Sequence, residues 1–206
     1  ALFGKKVFNN PKDLDEIAKL IRYTTSDDPN AVVLDFFAGS GTTGEAVMRL
    51  NSQDNGNRRY ILVQLPEPLD PKDKQQKVAA KYCEDIGKPL NIAELTKERL
   101  RKAGGTIKSE KPDWSGDSGF RVFKLDTSNI RAWNPAVNDL KTSLFDHLEH
   151  LEVGRSRDDI LYEILLKLGL DLCVPIEKRE IAGKQVNSVG AGVLMACLVE
   201  SIRATE

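Results

Sequence analysis

Apolar residues recur along the chain with two different periods, and the switches between them mark out its elements. After Pro11, the residues Leu14, Ile17, Leu20 and Ile21 fall on one helical face. Pro11 and the acidic Asp13, Asp15 and Glu16 suit the first turn of that helix. Thr24 to Asn30 is a turn cluster. The β-branched run Ala31 to Phe37 (AVVLDFF) then predicts a buried strand, and Gly39 to Gly44 a glycine loop. Glu45 to Leu50 predicts a helix that gives way to the polar stretch Asn51 to Arg58. Arg59 to Leu65 (RYILVQL) predicts a second buried strand, closed by Pro66 and Pro68.

Further on, Lys72 to Cys83 and Ile92 to Ala103 read as helices, separated by Gly87-Lys88-Pro89 and ended by Gly104-Gly105. Phe120 to Leu125 alternates with period two and predicts a half-exposed strand. Asp158 to Leu168 carries Ile160, Leu161, Ile164, Leu165 and Leu168 on one side, as an amphipathic helix requires. Leu172 to Val199 reads as a short meander with turns at Ala182-Gly183-Lys184 and Gly190-Ala191-Gly192. The least patterned stretch, Ser109 to Gly119, is the expected boundary between residues 1–108 and 109–206.

A chain of 206 residues that is 40% apolar and 30% charged can bury a core and is not of disordered composition. It holds no apolar run near the roughly 20 residues a membrane-spanning helix needs. Its three cysteines form no Cys-x-x-Cys, which argues against disulfide scaffolds and zinc ribbons and for a reducing, cytoplasmic setting. A formal net charge of −1 argues against gripping nucleic acid by bulk electrostatics alone. Charge is uneven, however: residues 51–111 carry 13 basic and 9 acidic side chains, whereas residues 112–206 carry 11 and 15.

Candidate chemistry concentrates in Asp35-Phe-Phe-Ala-Gly39-Ser-Gly41-Thr-Thr-Gly44. It stands between a strand and a helix, the setting a nucleotide-binding turn requires. Gly39 and Gly41 allow a tight turn and a close approach of ligand to backbone, and Thr42 or Thr43 can cap the following helix. Gln64, 20 residues past Gly44, closes the second strand where a polar side chain reaches a ribose hydroxyl. A glycine turn that serves only strand–helix packing has the same spacing. A nicotinamide dehydrogenase normally has Asp or Glu where Gln64 stands, and a P-loop needs a lysine that does not follow Gly44.

These residues carry a resemblance. Asp35 to Thr43 (DFFAGSGTT) resembles the S-adenosylmethionine motif of bacterial DNA amino-methyltransferases, in the form found when the cofactor motif lies downstream of the catalytic one. Phe8-Asn9-Asn10-Pro11-Lys12 resembles the F-x-N-P-K segment that precedes it there. Arg59 to Pro68 (RYILVQLPEP), Gly119 to Asp126 with Trp133-Asn134, and Asp159 to Leu170 resemble the type III restriction–modification subgroup. The resemblance implies an α/β fold: a partial Rossmann-like methyltransferase sheet at about 1–108, followed by a smaller α+β C-terminal region. It implies S-adenosylmethionine as cofactor and transfer of its methyl group to N6 of adenine in double-stranded DNA. Its implied partners are a second modification subunit and a restriction subunit, with no membrane.

By the same resemblance Asp35 holds the methionine amine and Gly39 and Gly41 admit the cofactor. Thr42 donates near its carboxylate, flanked by Ser40 and Thr43, and Gln64 takes the ribose. Phe36 and Phe37 supply an apolar wall, and Phe8, Pro11 and Lys12 approach from the N-terminal segment. The family's catalytic loop, [DNS]-P-P-[YFW], has no counterpart in the 206 residues. The expectation is therefore a C-terminal piece of a larger enzyme, inactive in methylation alone, with no catalytic residue of its own. Two other classes compete: an assembly module, with residues 109–206 holding another subunit, and a Rossmann NAD-dependent oxidoreductase. His147 and His150 at i, i+3 are read as a solvated face rather than a metal site. Trp114 and Trp133 are read as core anchors rather than base-stacking platforms, and Lys97, Arg99, Arg101 and Lys102 as helix surface rather than phosphate contacts.

Overall fold

The computed structural model describes residues 2–4, 6–8, 12–131, 151–199 and 201–202. Its contacts divide the chain into Ala1–Phe120 and Arg121–Glu206. The division falls later than the expected 108/109, because Trp114 and Phe120 pack into the core of the first unit.

The first unit is mixed α/β. α1 (Leu14–Thr24) begins at Asp13, whose carboxylate accepts from the Asp15 and Glu16 amides. Two parallel strands follow, β1 (Val32–Asp35) and β2 (Arg59–Leu62), with Val32 beside Arg59 and Asp35 beside Leu62. Between them runs α2 (Thr42–Asp54). It is buried on almost every side because it lies between two helices and the sheet. Ala46, Val47 and Leu50 pack on α1, Val33 and Tyr60, while Met48 packs on Leu100, Ala103 and Ile107 of α4 (Ile92–Glu110). α3 (Lys77–Asp85) closes a third apolar cluster with Val7, Leu69 and Leu95.

Several boundaries differ from the sequence reading. The strands expected to be buried are half-exposed: Val33, Asp35, Tyr60 and Leu62 face the helices, whereas Val32, Leu34 and Ile61 face outward. Parallel strands are buried only when both faces are covered, and here helices cover one. α2 runs on through Asn51 and Ser52, because Asn51 turns inward and brackets Arg58. Its amide donates to the Arg58 carbonyl at 2.8 Å and its Oδ1 accepts from the Arg58 amide at 3.1 Å. α3 starts five residues late, after a turn in which Asp73 accepts from the Gln75 and Gln76 amides. α4 passes through Gly104-Gly105 instead of ending there. At Gly104 the Ser118 carbonyl comes so close that a Cβ would stand 3.0 Å from it, so packing offsets the low helix propensity of glycine.

In the second unit α5 (Arg157–Lys167) starts with a reciprocal capping box between Ser156 and Asp159. Its Leu161 and Leu165 pack on Val189 and Ala196 of an antiparallel meander. That meander comprises β3 (Ile176–Ile181), β4 (Lys184–Val189) and β5 (Leu194–Cys197). Ala182 and Gly183, both at positive φ, make the two-residue hairpin between β3 and β4. Phe120 to Leu125 forms no strand. Side chains hold this segment instead of a ladder: Arg121 donates to the Leu172 carbonyl and, at 3.2 Å each, to the Val174 carbonyl and the Tyr162 hydroxyl. The Phe123 ring meets Tyr162 edge-on.

Candidate cofactor loop

The glycine loop joins the end of β1 to the start of α2, and its conformation follows from two glycines at positive φ, Gly39 at +51° and Gly41 at +80°. Gly41 occupies the N-cap position of α2, where no side chain caps the helix. The expected threonine caps are absent because both hydroxyls are used elsewhere. Thr43 Oγ1 donates to Asp35 Oδ2 at 2.6 Å, and Asp35 Oδ1 accepts from the Phe37 amide at 3.1 Å. Asp35 is half-buried at the strand end and keeps free lone pairs on both oxygens.

The floor of the loop is polar and buried. Arg99, on α4, donates from Nη1 to Ser40 Oγ at 2.7 Å and to Thr42 Oγ1 at 3.0 Å, and from Nε to Glu45 Oε2 at 2.6 Å. Glu45 is 1% exposed and also pairs with Arg49 at 3.1 Å. One turn earlier on α4, Thr96 Oγ1 donates to the Gly39 carbonyl at 2.5 Å. The Thr42 hydroxyl, expected to donate near a cofactor carboxylate, accepts here from Arg99 and lies 3.1 Å from Ser40 Oγ. Gln64 stands just beyond β2, where Oε1 accepts from the Gly39 amide at 2.7 Å and Nε2 donates to the Leu65 carbonyl.

The rim is the reverse. Phe36 and Phe37 are 63% and 82% exposed, with ring centroids 5.1 Å apart. A Cβ at Gly39 would meet only the Phe37 carbonyl, at 3.8 Å, so the space beside the Gly39 backbone is open. Asp35, Phe36, Phe37, Gly39, Ser40, Gly41, Thr42, Thr43 and Gln64 thus come together in one place. Phe8 packs with Phe3 in the α3 cluster, and Lys12 is exposed. Pro11, His147, His150 and Trp133 lie outside the described residues. Trp114 packs against the core, as its anchoring role predicts. Lys97, Arg101 and Lys102 pair with Glu94 or Glu98 along α4, whereas Arg99 turns inward. Sequence reasoning missed that turn, although Glu94 and Glu98, at i, i+3 and i, i+4 spacings, already serve the other cations.

Among the described residues no helix is long and apolar enough to cross a membrane, and no cluster of His, Cys, Asp and Glu is suited to a metal ion.

Residues 3–68, which include this strand–loop–helix and its carboxylate at the strand end, match the model of a DNA methylase family. The chain is related to a part of the type III modification subunits. It is 33% identical over 177 residues to the Mod subunit of the type III restriction–modification enzyme EcoP15I of Escherichia coli, covering 85% of this chain and 24% of that one. To the StyLTI Mod subunit of Salmonella typhimurium it is 35% identical over 126 residues, or 61% and 18% of the two chains. The type II methyltransferase M.KpnI of Klebsiella pneumoniae is 47% identical over 68 residues, 33% of this chain and 16% of its own. The chain therefore spans about a quarter or less of the length of these relatives.

Proposed function

We propose that residues 1–120 form the S-adenosylmethionine-binding part of a DNA adenine-N6 methyltransferase of a type III restriction–modification system. One observation carries this reading: the loop from Asp35 to Gly44 has a buried, hydrogen-bonded floor and an open, apolar rim beside a half-buried carboxylate. In this reading Asp35 accepts from the methionine amine, and Gly39 leaves room for the cofactor backbone. Gln64 Oε1 keeps the Gly39 amide and offers its second lone pair to a ribose hydroxyl. Phe36 and Phe37 shield the adenine side from water, and Pro11 and Lys12 approach from the segment before α1, whereas Phe8 keeps its place beside Phe3 in the α3 cluster. The bound cofactor supplies the electrophilic methyl group. The protein's part is to fix its orientation against an adenine flipped out of double-stranded DNA. The sheet belongs in this view to a Rossmann-like methyltransferase domain, and the catalytic loop lies outside the 206 residues, which do not methylate DNA by themselves.

Isothermal titration of S-adenosylhomocysteine into the chain tests the reading. Saturable binding that is lost on Asp35→Ala and on Gly39→Val is expected. Absence of saturable binding to a folded chain, or binding of NAD in its place, overturns it.

A second reading concerns residues 121–206. Leu166 and Leu168 on and just after α5, and Val193 and Met195 in the meander, are exposed beyond what the meander and helix cover of each other. This favours an assembly role, toward a second modification subunit or a restriction subunit. Size-exclusion chromatography with light scattering checks it: Leu166→Glu should lower any association without changing the helical content.

A further inference from the structure

We infer that Arg99 is a positioning residue for the cofactor, acting through the glycine loop; the inference rests on the cofactor reading above. The loop makes its turn on two glycines, so its backbone alone does not hold one conformation. What holds it is α4. Arg99 spans Glu45, Ser40 and Thr42 with one guanidinium, and Thr96 takes the Gly39 carbonyl one helical turn away. Both ends of the loop are thereby tied to the same helix.

The chemistry of the pair points the same way. Glu45 is fully buried and the Arg99 side chain is only 11% exposed, so both are largely desolvated. Buried ion pairs are weak sources of stability, and apolar residues of similar volume often replace them without loss. A conformational role is the better account of this pair, because it is built around one geometry. Nε faces the carboxylate while Nη1 faces two hydroxyls that belong to the loop and to the first turn of α2. A lysine ammonium cannot divide itself in that manner, since it lacks the planar fork.

The test uses the whole 206-residue chain with Arg99→Met, Arg99→Lys and Thr96→Val, the last preserving the branched shape that backs Gly41. The first readout needs no cofactor: hydrogen exchange at the amides of residues 39–43. These include the Gly39 amide bonded to Gln64 and the Gly41 amide bonded to Ala38 at 2.7 Å. Exchange there is expected to accelerate at least about tenfold in Arg99→Met, with Arg99→Lys failing to restore it, while amides of α1 and α3 stay unchanged. S-adenosylhomocysteine affinity is expected to fall about tenfold in parallel. Thr96→Val should show the same pattern more weakly, and it carries the test if Arg99→Met fails to fold. Binding by the unsubstituted chain with unchanged loop exchange and affinity in the variants overturns the role of Arg99 alone. Accelerated loop exchange with no binding in the unsubstituted chain overturns the cofactor reading, and the role toward cofactor with it.

Discussion

Gly44 lies in the first turn of α2, facing the sheet and α4, and its replacement by alanine sets two effects of opposite sign against each other. Alanine is favoured over glycine within a helix by about 0.8–1.0 kcal/mol. A Cβ at this position, however, would stand 2.7 Å from Leu100 Cδ2, 3.0 Å from Leu62 Cδ1 and 3.3 Å from Tyr60 Cε2. These atoms come from two different elements, and the nearest belongs to Leu100, which is 3% exposed and packed among Met48, Ala103 and Ile107. Overpacking of this kind costs about 1–3 kcal/mol, and three contacts at once place it near the top of that range. Gly44→Ala should therefore destabilise the first unit by about 2 kcal/mol. Gly105 on α4 is the control: it is exposed, and nothing lies within 4 Å of a Cβ there. Gly105→Ala should stabilise by up to about 1 kcal/mol. The chain has two tryptophans, of which Trp114 lies in the first unit. In a Trp133→Phe background its fluorescence during urea unfolding reports that unit. A Gly44→Ala midpoint equal to or above that of Gly105→Ala would refute the packing argument.

Two further outcomes concern the second unit. Glu163 accepts from the Ser128 hydroxyl at 2.5 Å, from the Asn129 amide at 2.6 Å and from Lys167 at 3.0 Å, and the Ser128 bond leads in lowering its pKa to about 2. Because the folded value is depressed, its contribution is present above the ordinary carboxylate range near 4.5 and is lost as pH falls toward 2. The gap in urea midpoint between the unsubstituted chain and Glu163→Gln should accordingly shrink from pH 6 to pH 3; a constant gap contradicts the assignment. Ser156→Ala removes the hydroxyl that accepts from the Asp159 amide, and should cost about 1 kcal/mol by urea-induced loss of helical circular dichroism, while Ser156→Thr costs less.

What the sequence shows and what it hides divide along physical lines. α1 and α5 follow from periodicity, because each buries one face against its neighbours, and the meander follows from its glycine turns at 182–184 and 190–192, not from alternation, since β3 and β4 bury no alternate face. The glycine loop is legible for a different reason: positive φ at Gly39 and Gly41 is a local demand that only a few residue types meet. The end of α4 is not legible, since Gly104-Gly105 breaks a helix in isolation. The close approach of Ser118 that justifies Gly104 is a tertiary fact. Phe120 to Leu125 alternates as a strand does, yet alternation supplies no partner, and Arg121 takes the carbonyls of Leu172 and Val174 in place of a ladder. Nor does any local rule reveal that Arg99 faces Glu45 across 54 residues of chain, when Glu98 stands beside it in sequence.

α2 and α4 are fastened to each other at both ends. At the loop end Arg99 ties Glu45, Ser40 and Thr42, and at the far end Lys111 Nζ reaches the Ser52 carbonyl, with Met48 seated between on Leu100, Ala103 and Ile107. Two helices pinned at one point can swing, and two packed without pins can slide; a pair pinned at two points does neither unless both fastenings open together. The surface under the glycine loop therefore behaves as a bench rather than a jaw. Under the proposed cofactor role, the side left to adapt is the pair Phe36 and Phe37, which are 63% and 82% exposed and meet each other at 5.1 Å. Ligand-linked changes in mobility should be read at those two rings, against a pair of helices that keeps still.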